Sequence, residues 1–341
     1  MTELLSALCS LDGISGQEDS VREYIRNAAA PFADEIQQDA MGNLLVFKKG
    51  STRGTHSLML CAHMDEVGLM VRGVDPEGFV KFGAVGAIDK RVLPGKRVRC
   101  GKTLGVIGLG PVHLSGHGKD KSFPEIRNLS IDIGAQSDSE ALREIALGDA
   151  FCFDTAPGLF GNGFYKAKAI DDRIGCAVML SVLKNGVYQD TWFAFTVQEE
   201  IGARGAGTAA YAIAPDIALI LEGTTAVDSP DRIGAERIAG AGEGPVLSYM
   251  DSSTYYDHGL FEHLCLLCKK HQIPWQLKRT VSGGTDASSI CRTRGGVRVA
   301  GLAAPVRYIH SPASVCSLKD AENLLSLTDK FLHSLAIGEL L

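Results

Sequence analysis

Apolar runs alternate with amphipathic stretches along most of the sequence. The runs at 57–62, 192–197 and 216–221 predict buried strands, and 297–309 predicts one or two more. Periodic apolar positions predict helices at 4–30, 171–184, 204–213 and 258–271, and a last helix that begins at Ser317. Strands that alternate with helices indicate an α/β fold, with a mixed, largely parallel sheet covered by helices on both faces.

Local signals set several element boundaries. Ser15 and Glu18 have the spacing of a capping box, and Gly186 is placed to end the helix over 171–184. Residues 35–49 predict two strands that turn at 41–43, and Asp320 is predicted to cap the last helix.

The segment 68–164 has a different pattern. It is rich in valine and glycine, its alternating stretches are short, and helical periodicity is confined to 137–146. Short strands closely spaced along the chain indicate a small, barrel-like β-rich domain. We therefore predict a catalytic α/β domain formed by 1–67 and 165–341, with 68–164 inserted in it.

Composition excludes several classes of function. The 341 residues are 45% hydrophobic and 22% charged, with a net charge of −6, so no nucleic-acid surface is expected. We expect no signal peptide and no membrane span, because no basic segment precedes an apolar one and no apolar run is long enough. Nine scattered cysteines, with Cys265 and Cys268 on one helical stripe, indicate reduced core residues in a cytoplasmic protein.

Potential metal ligands follow the apolar runs. They are His63 and Asp65, Glu199 and Glu200, Glu222, and His310, with Asp171 at a predicted helix start. Each is unremarkable alone, since acidic residues often cap helices. Together, imidazole and carboxylate groups at successive strand ends suit two divalent cations with nitrogen and oxygen ligands.

The order within these pairs suggests roles. His63 and Asp65 are two residues apart and face the same side of an extended chain, so Asp65 could orient a metal-binding imidazole. One of the two adjacent glutamates could bind a metal while the other carries a proton. A single carboxylate such as that of Asp171 could bridge two cations.

Five ordered motifs resemble the TET-type di-metal aminopeptidases, a family that includes glutamyl aminopeptidases and sequences once labelled endoglucanase M. The motifs are Cys61-Ala-His-Met-Asp-Glu-Val-Gly68, Ala169-Ile-Asp-Asp-Arg173, Gln198-Glu-Glu-Ile-Gly-Ala-Arg-Gly205, Gly284-Thr-Asp-Ala287 and Ile309-His-Ser-Pro312. The resemblance begins at Gly13-Ile-Ser-Gly-Gln-Glu18 and covers essentially the whole chain.

The resemblance implies a di-metal exopeptidase fold and a role for each site residue. His63 and Glu222 would bind one metal, Glu200 and His310 the other, and Asp171 would bridge them. Glu199 would be the general base and Asp65 would orient His63.

The resemblance also implies cofactors and partners. Two divalent ions per subunit are expected, as Zn²⁺, Co²⁺ or Mn²⁺, with peptides as substrates. The inserted domain would mediate dimerisation, and dimers would assemble into a tetrahedral dodecamer.

One position departs from the family pattern. Many relatives have Asp where this chain has Glu222, and Asp228 is a weaker nearby candidate for that ligand. Two other groups are interpreted more simply: His113 and His117 as a surface loop of the insert, and Ser282-Gly-Gly-Thr-Asp-Ala287 as a backbone-lined substrate wall.

Two other enzyme classes remain open at this point. A di-metal deacylase or amidohydrolase acting on blocked peptides would use the same ligands. A glycoside hydrolase would use paired carboxylates, but it needs neither metal nor histidine ligands, so His63 and His310 argue against it. The predicted reaction is removal of N-terminal residues from peptides.

Overall fold

The computed structural model of the chain describes residues 1–109, 125–229 and 237–340. The described residues form eight α-helices: α1 Thr2–Ser10, α2 Asp19–Ala29, α3 Asp138–Glu144, α4 Ile170–Asn185, α5 Arg204–Ile213, α6 His258–His271, α7 Ala287–Ile290 and α8 Leu318–Ala336. Two 3₁₀ turns occur at Lys90–Val92 and Ile126–Asn128.

The strands fall into two groups. The first group is β1 Glu35–Gln38, β2 Leu44–Lys48, β3 Leu58–His63, β10 Gly158–Phe160, β11 Phe164–Ala167, β12 Thr191–Thr196, β13 Ile217–Thr225, β14 Val246–Ser248, β15 Gln276–Leu277, β16 Arg298–Arg307 and β17 Ser314–Ser317. The second group is β4 Gly68–Val74, β5 Val80–Val85, β6 Arg97–Cys100, β7 Thr103–Gly108, β8 Ser130–Asp132 and β9 Ala150–Phe153.

The first group forms one mixed sheet of 11 strands. Its main order is β1-β2-β12-β3-β13-β16-β17-β11-β10, with β14 and β15 attached beside β16. The four central strands β12, β3, β13 and β16 are parallel, and the flanking strands of the main order pair antiparallel. The predicted α/β class is confirmed, with its parallel order concentrated at the centre.

Alternation along the central strands explains why helices cover both faces. In β3, Leu58 and Leu60 contact a core formed with α1, α2, α4, α6 and α8. Met59 and Cys61 point the other way, into a smaller core formed with α5 and α7. Successive strand residues face opposite sides, so an unbroken apolar run requires apolar layers on both faces of the sheet.

The second group closes into a barrel in the order β4-β5-β8-β7-β6-β9. Its interior is an apolar cluster that includes Val71, Phe82, Ile107 and Phe151. The barrel-like unit predicted within 68–164 is therefore present. β10 also lies within that range, but it pairs with β11 and belongs to the large sheet. The domain boundary placed at 164 stays a prediction.

Three predicted details are wrong. The helix predicted over 4–30 is two helices, and Ser15 does not cap the second, since its hydroxyl donates to Asp65. In α8, the Ser317 hydroxyl accepts from the Asp320 N–H, whereas the Asp320 carboxylate accepts from Gly242 and Gly244. The two capping errors arise because side chains with capping potential have distant partners that sequence spacing does not show.

Candidate metal centre

Ends of parallel strands and one helix start meet at the carboxyl edge of the central sheet. β3 ends at His63, which pairs in register with Thr196, the last residue of β12. β13 carries Glu222, the loop after β16 carries His310, and the first turn of α4 carries Asp171. Open α/β sheets bind ligands at this edge.

Two groups of potential ligands share one carboxylate. The Nε2 atom of His63 lies 3.5 Å from Asp171 Oδ1 and 3.5 Å from Glu222 Oε2. The Nε2 atom of His310 lies 3.4 Å from Asp171 Oδ2 and 3.2 Å from Glu200 Oε2. In each group, the three ligand atoms lie within 4.8 Å of one another. Asp171 thus presents one oxygen to each histidine.

Asp65 contacts several of the residues that form this site. Its carboxylate accepts the N–H of Glu199 at 3.0 Å, the N–H of Glu200 at 3.1 Å and the Ser15 hydroxyl at 2.6 Å. The Nδ1 atom of His63 lies 3.0 Å from the Asp65 carbonyl oxygen and 3.5 Å from Oδ1. A proton on Nδ1 that is donated here leaves Nε2 free to bind a metal.

The loop after β12 directs the side chains of Glu199 and Glu200 toward the same site. β12 has ended at Thr196, and Gln198 has a positive φ of 58°, so strand alternation no longer applies. Glu200 joins the His310 group, whereas Glu199 belongs to neither group and its Oε2 lies 4.0 Å from His63 Nε2.

Burial makes this concentration of carboxylates costly. It raises the pKa of Glu199 well above its ordinary value, that of Glu200 to about 8 and that of Glu222 to about 7. Burial also opposes ionisation of Asp171, but hydrogen bonds from His310 and His63 outweigh it and lower the pKa of Asp171. Buried like charges need nearby positive charge to stay ionised together.

The residues present fit divalent cations. Imidazole and carboxylate donors are ligands that Zn²⁺, Co²⁺ and Mn²⁺ accept. The buried Oε1 atom of Glu222 has no hydrogen-bond partner within the described parts of the chain. Glu222 was predicted at a strand end but lies inside β13, which continues to Thr225. Asp228, the weaker candidate, is instead held by Arg307 at 2.6 and 2.8 Å.

A cavity of about 200 Å³ opens beside the two groups. Part of the wall predicted at 282–287 does line it, through Ser282, Gly283, Gly284 and Thr285. Beyond the site residues, the cavity contacts Gly223, Thr224, Thr225, Ser248, Tyr256, Lys278, Gly301, Leu302, Ala303 and Ile309. Asp286 is fully buried, accepts the Thr196 hydroxyl, and burial raises its pKa to about 6.

A third acidic group is an ion-pair network. Asp12, Glu66 and Cys152 also have three potential ligand atoms close together. Lys168 bonds Glu66 and lies 3.3 Å from Asp12, and Arg99 bonds Asp12 through two nitrogens. Because Lys168 and Arg99 pair with these carboxylates, we interpret the group as a structural ion-pair network and not as a metal site.

Sequence reasoning identified the seven residues that converge here but missed their supports. The Ala87 carbonyl lies 3.0 Å from His310 Nδ1, and the Ser15 hydroxyl bonds Asp65. Neither contact has a sequence signal, since each joins residues more than 45 positions apart. His113 and His117 lie outside the described residues. All nine cysteines are free, and six are buried as predicted, whereas Cys100, Cys265 and Cys291 are only half-buried. No described helix is long and apolar enough to cross a membrane.

The chain is similar to known aminopeptidases. It is 37% identical to a putative aminopeptidase of Acetivibrio thermocellus, with 96% of this chain and 97% of the relative covered. It is 30% identical to the lysyl aminopeptidase of Pyrococcus furiosus, with 98% and 97% covered. A solved structure of the Pyrococcus horikoshii TET1 peptidase, described as assembling into a tetrahedron or a large octahedral shell, matches with a TM-score of 0.83, 33% identity, and 97% and 98% coverage.

A sequence model of one peptidase family matches most of the chain. The matched part includes the strand that carries His63 and the strand that precedes His310. This model, described as M42 glutamyl aminopeptidase, matches residues 42–327. The resemblance inferred from the motifs is confirmed, and with it the assignment as a peptide hydrolase. The chain belongs to the M42 glutamyl aminopeptidase family.

Proposed function

We propose that the protein is an aminopeptidase that requires two divalent ions and removes residues from the free N-terminus of peptides. The observation that carries the proposal is the position of Asp171, whose two oxygens face two separate histidine–glutamate pairs. His63 and Glu222 would hold one ion, and Glu200 and His310 the other. When bound, such ions polarise a scissile carbonyl and lower the pKa of a water molecule.

In this proposal, Glu199 moves the proton. It faces the cavity and lies outside both ligand groups, and burial raises its pKa above that of an ordinary glutamate. A carboxylate with raised pKa accepts a proton from the attacking water more readily, and can return it to the leaving amine. Asp65 fixes the backbone of Glu199 and orients the imidazole of His63.

The identity of the ions and the state of assembly are parts of the same proposal. Zn²⁺, Co²⁺ and Mn²⁺ all suit the donor set. We expect self-association through the barrel, into dimers and a tetrahedral dodecamer. The nine free cysteines are in keeping with a reducing cytoplasmic location.

Metal removal and N-terminal blocking test the proposal together. The protein is treated with a chelator, its metal content is measured by elemental analysis, and Zn²⁺, Co²⁺ or Mn²⁺ is restored. We expect the metal-free protein to be inactive on a free-amine peptide and activity to return with metal. Full activity in metal-free protein would contradict the proposal. Equal cleavage of the acetylated peptide would favour the deacylase instead.

A further inference from the structure

We propose that Asn43 is a positioning residue for the reaction, because it fixes the loop 197–205 in the shape that directs Glu199 into the cavity. The inference rests on the proposed function, in which Glu199 carries the proton. Asn43 immediately precedes β2 and lies 154 positions before Val197 in the sequence. It belongs to neither ligand group, so its effect on the reaction is exerted through the loop.

The start of this loop donates four consecutive backbone N–H groups to side chains from distant segments. The donors and their acceptors are Val197 with Asn43 at 3.0 Å, Gln198 with Glu18 at 3.2 Å, and Glu199 and Glu200 with Asp65 at 3.0 and 3.1 Å. Backbone groups away from water need such partners. Here side chains supply them in place of a strand or a helix, so side chains determine the path of the loop.

Asn43 contacts both ends of the loop. Its Oδ1 atom accepts the N–H of Val197, and its Nδ2 atom donates to the Gly205 carbonyl at 2.9 Å. The N–H of Gly205 in turn donates to the Val197 carbonyl at 3.1 Å. A Cβ atom at Gly205 would lie 2.3 Å from Asn43 Oδ1, so the asparagine packs directly against the loop backbone.

Asn43 is fully buried and has one possible orientation. Its Nδ2 atom donates to Asp39 Oδ2 at 2.6 Å, and Asp39 Oδ1 accepts the N–H groups of Met41, Gly42 and Asn43 at 2.9 to 3.0 Å. Oxygen acceptors beside Nδ2 and an N–H beside Oδ1 define which side of the amide is which. The turn before β2 therefore gives the loop a rigid support.

Loss of this support should affect Glu199 more than Glu200. In the proposed site, a bound ion would hold the side chain of Glu200 beside His310 and Asp171. Glu199 belongs to neither ligand group, so the direction of its side chain depends on its backbone. A general base must lie within hydrogen-bond reach of the proton that it accepts, and a displacement of about 1 Å can cost about 100-fold in rate.

The activity test compares Asn43→Ala with wild type in the full-length, metal-restored protein. The substrate is an X-Ala-Ala amide, with X as Glu, Leu or Lys, that the wild type cleaves. We expect kcat per folded protein to fall about 10- to 100-fold while KM changes less than about threefold, because the cavity wall is kept. Elemental analysis with excess metal should give the wild-type metal content.

The double variant Asn43→Ala with Glu199→Gln separates positioning from a merely structural role. If Asn43 acts through Glu199, removal of the base also removes the effect. Asn43→Ala should then lower the kcat of the Glu199→Gln protein by less than about threefold. The same fall in both backgrounds, or a metal loss large enough to account for the fall, would overturn the inference.

Hydrogen exchange of the metal-free protein tests the loop without turnover. Peptides that cover 197–205 should exchange about tenfold faster or more in Asn43→Ala, because Val197 loses its acceptor. His263→Ala is the matched control, since His263 is also buried and its Nε2 atom lies 2.7 Å from the Ser334 hydroxyl, between α6 and α8. It should leave both the loop exchange and kcat near wild type. Unchanged loop exchange in Asn43→Ala would contradict the inference.

Thermal melting verifies that each variant is folded. If Asn43→Ala does not fold, Asn43→Ser takes its place in every measurement, since it keeps a hydroxyl and leaves room for a water molecule. A wild type that cleaves peptides while the Asn43 variant keeps its kcat would overturn this inference alone. Failure of the wild type to cleave any of the peptides with any metal would overturn the proposed function, and the role of Asn43 with it.

Discussion

Glu199 and Glu200 are consecutive and chemically identical, yet the fold gives them different surroundings. Glu200 lies beside His310 and Asp171, while Glu199 faces the cavity outside both ligand groups. The N–H groups of both residues bond to Asp65, which fixes the backbone that separates them. A difference in role between two identical side chains can therefore be tested by identical substitutions.

Glu199→Gln should lower kcat by about 100- to 10,000-fold, because it keeps the shape of the side chain and removes the proton acceptor. Metal content should stay near wild type, since Glu199 lies outside both groups. Glu200→Gln is the matched variant and should weaken one metal site, with partial rescue by added metal. The measurement is metal stoichiometry beside kcat. Metal loss in Glu199→Gln, with both ions kept in Glu200→Gln, would mean that the roles are reversed.

Contacts between elements connect the barrel to segments around the large sheet. Arg99, on β6, bonds Asp12 after α1 through two nitrogens at 2.8 Å, and also bonds the Ser10 carbonyl. The carbonyl oxygen of Ala87, beyond β5, lies 3.0 Å from the Nδ1 atom of His310 and accepts its proton when Nδ1 carries one. The barrel thus contacts the N-terminal segment and one proposed metal ligand, so its position affects the site.

Arg99→Gln should destabilise the metal-free protein by about 1 kcal/mol, because the Asp12 pair is bidentate but partly exposed. Burial raises the pKa of Asp12, but Arg99 and Lys168 outweigh it and lower the pKa below the ordinary 3.8. A carboxyl with a lowered folded-state pKa stabilises the fold above its unfolded pKa, and loses that contribution as pH falls through the folded value. The difference between wild type and variant should therefore be full at neutral pH, begin to fall as pH drops below the unfolded pKa near 3.8, and vanish only below the lower folded-state pKa of Asp12.

Urea unfolding at a fixed protein concentration measures this difference across pH. Arg91→Gln is the control, because Arg91 is exposed and, among the residues that the structure describes, pairs only with nearby Asp89. It should leave stability unchanged. A stability difference for Arg99→Gln that persists undiminished at pH 3 would show that the ion pair with Asp12 is not its cause.

At the scale of the whole molecule, the barrel presents apolar side chains to its surroundings. Leu104 is 56% exposed and Val106 is 46% exposed on the outer face of β7, while Gly105 and Ile107 point inward. Neighbouring exposed apolar residues often mark contact surfaces between proteins. This face is a candidate for the self-association proposed above.

The double substitution Leu104→Glu with Val106→Glu should yield smaller particles than wild type, because buried like charges oppose association. Light scattering coupled to size-exclusion chromatography gives the mass. Leu266→Glu, at a 48% exposed position on α6, is the control and should keep the wild-type mass. An unchanged mass for the double variant would exclude this face as an interface, and a monomeric wild type would contradict self-association itself.

Much of the fold could be predicted because hydrophobic periodicity is local. The predicted helix over 258–271 coincides with α6, and the strands that carry or precede His63 and Glu199 lie where their apolar runs are. Strand ends that carry imidazole and carboxylate groups indicated the metal chemistry as well, since ligand type follows from residue type. The roles assigned to those residues stay predictions.

Only the tertiary structure decided which partners these residues have. The Ser15 hydroxyl bonds Asp65 instead of capping a helix, β10 joins the large sheet, and Lys278 lines the cavity beside the metal centre. Each contact joins segments far apart in the sequence, and neither spacing nor composition encodes such a contact. Residue types and local patterns set the elements and the available chemistry, while packing between distant elements set the distances on which that chemistry depends.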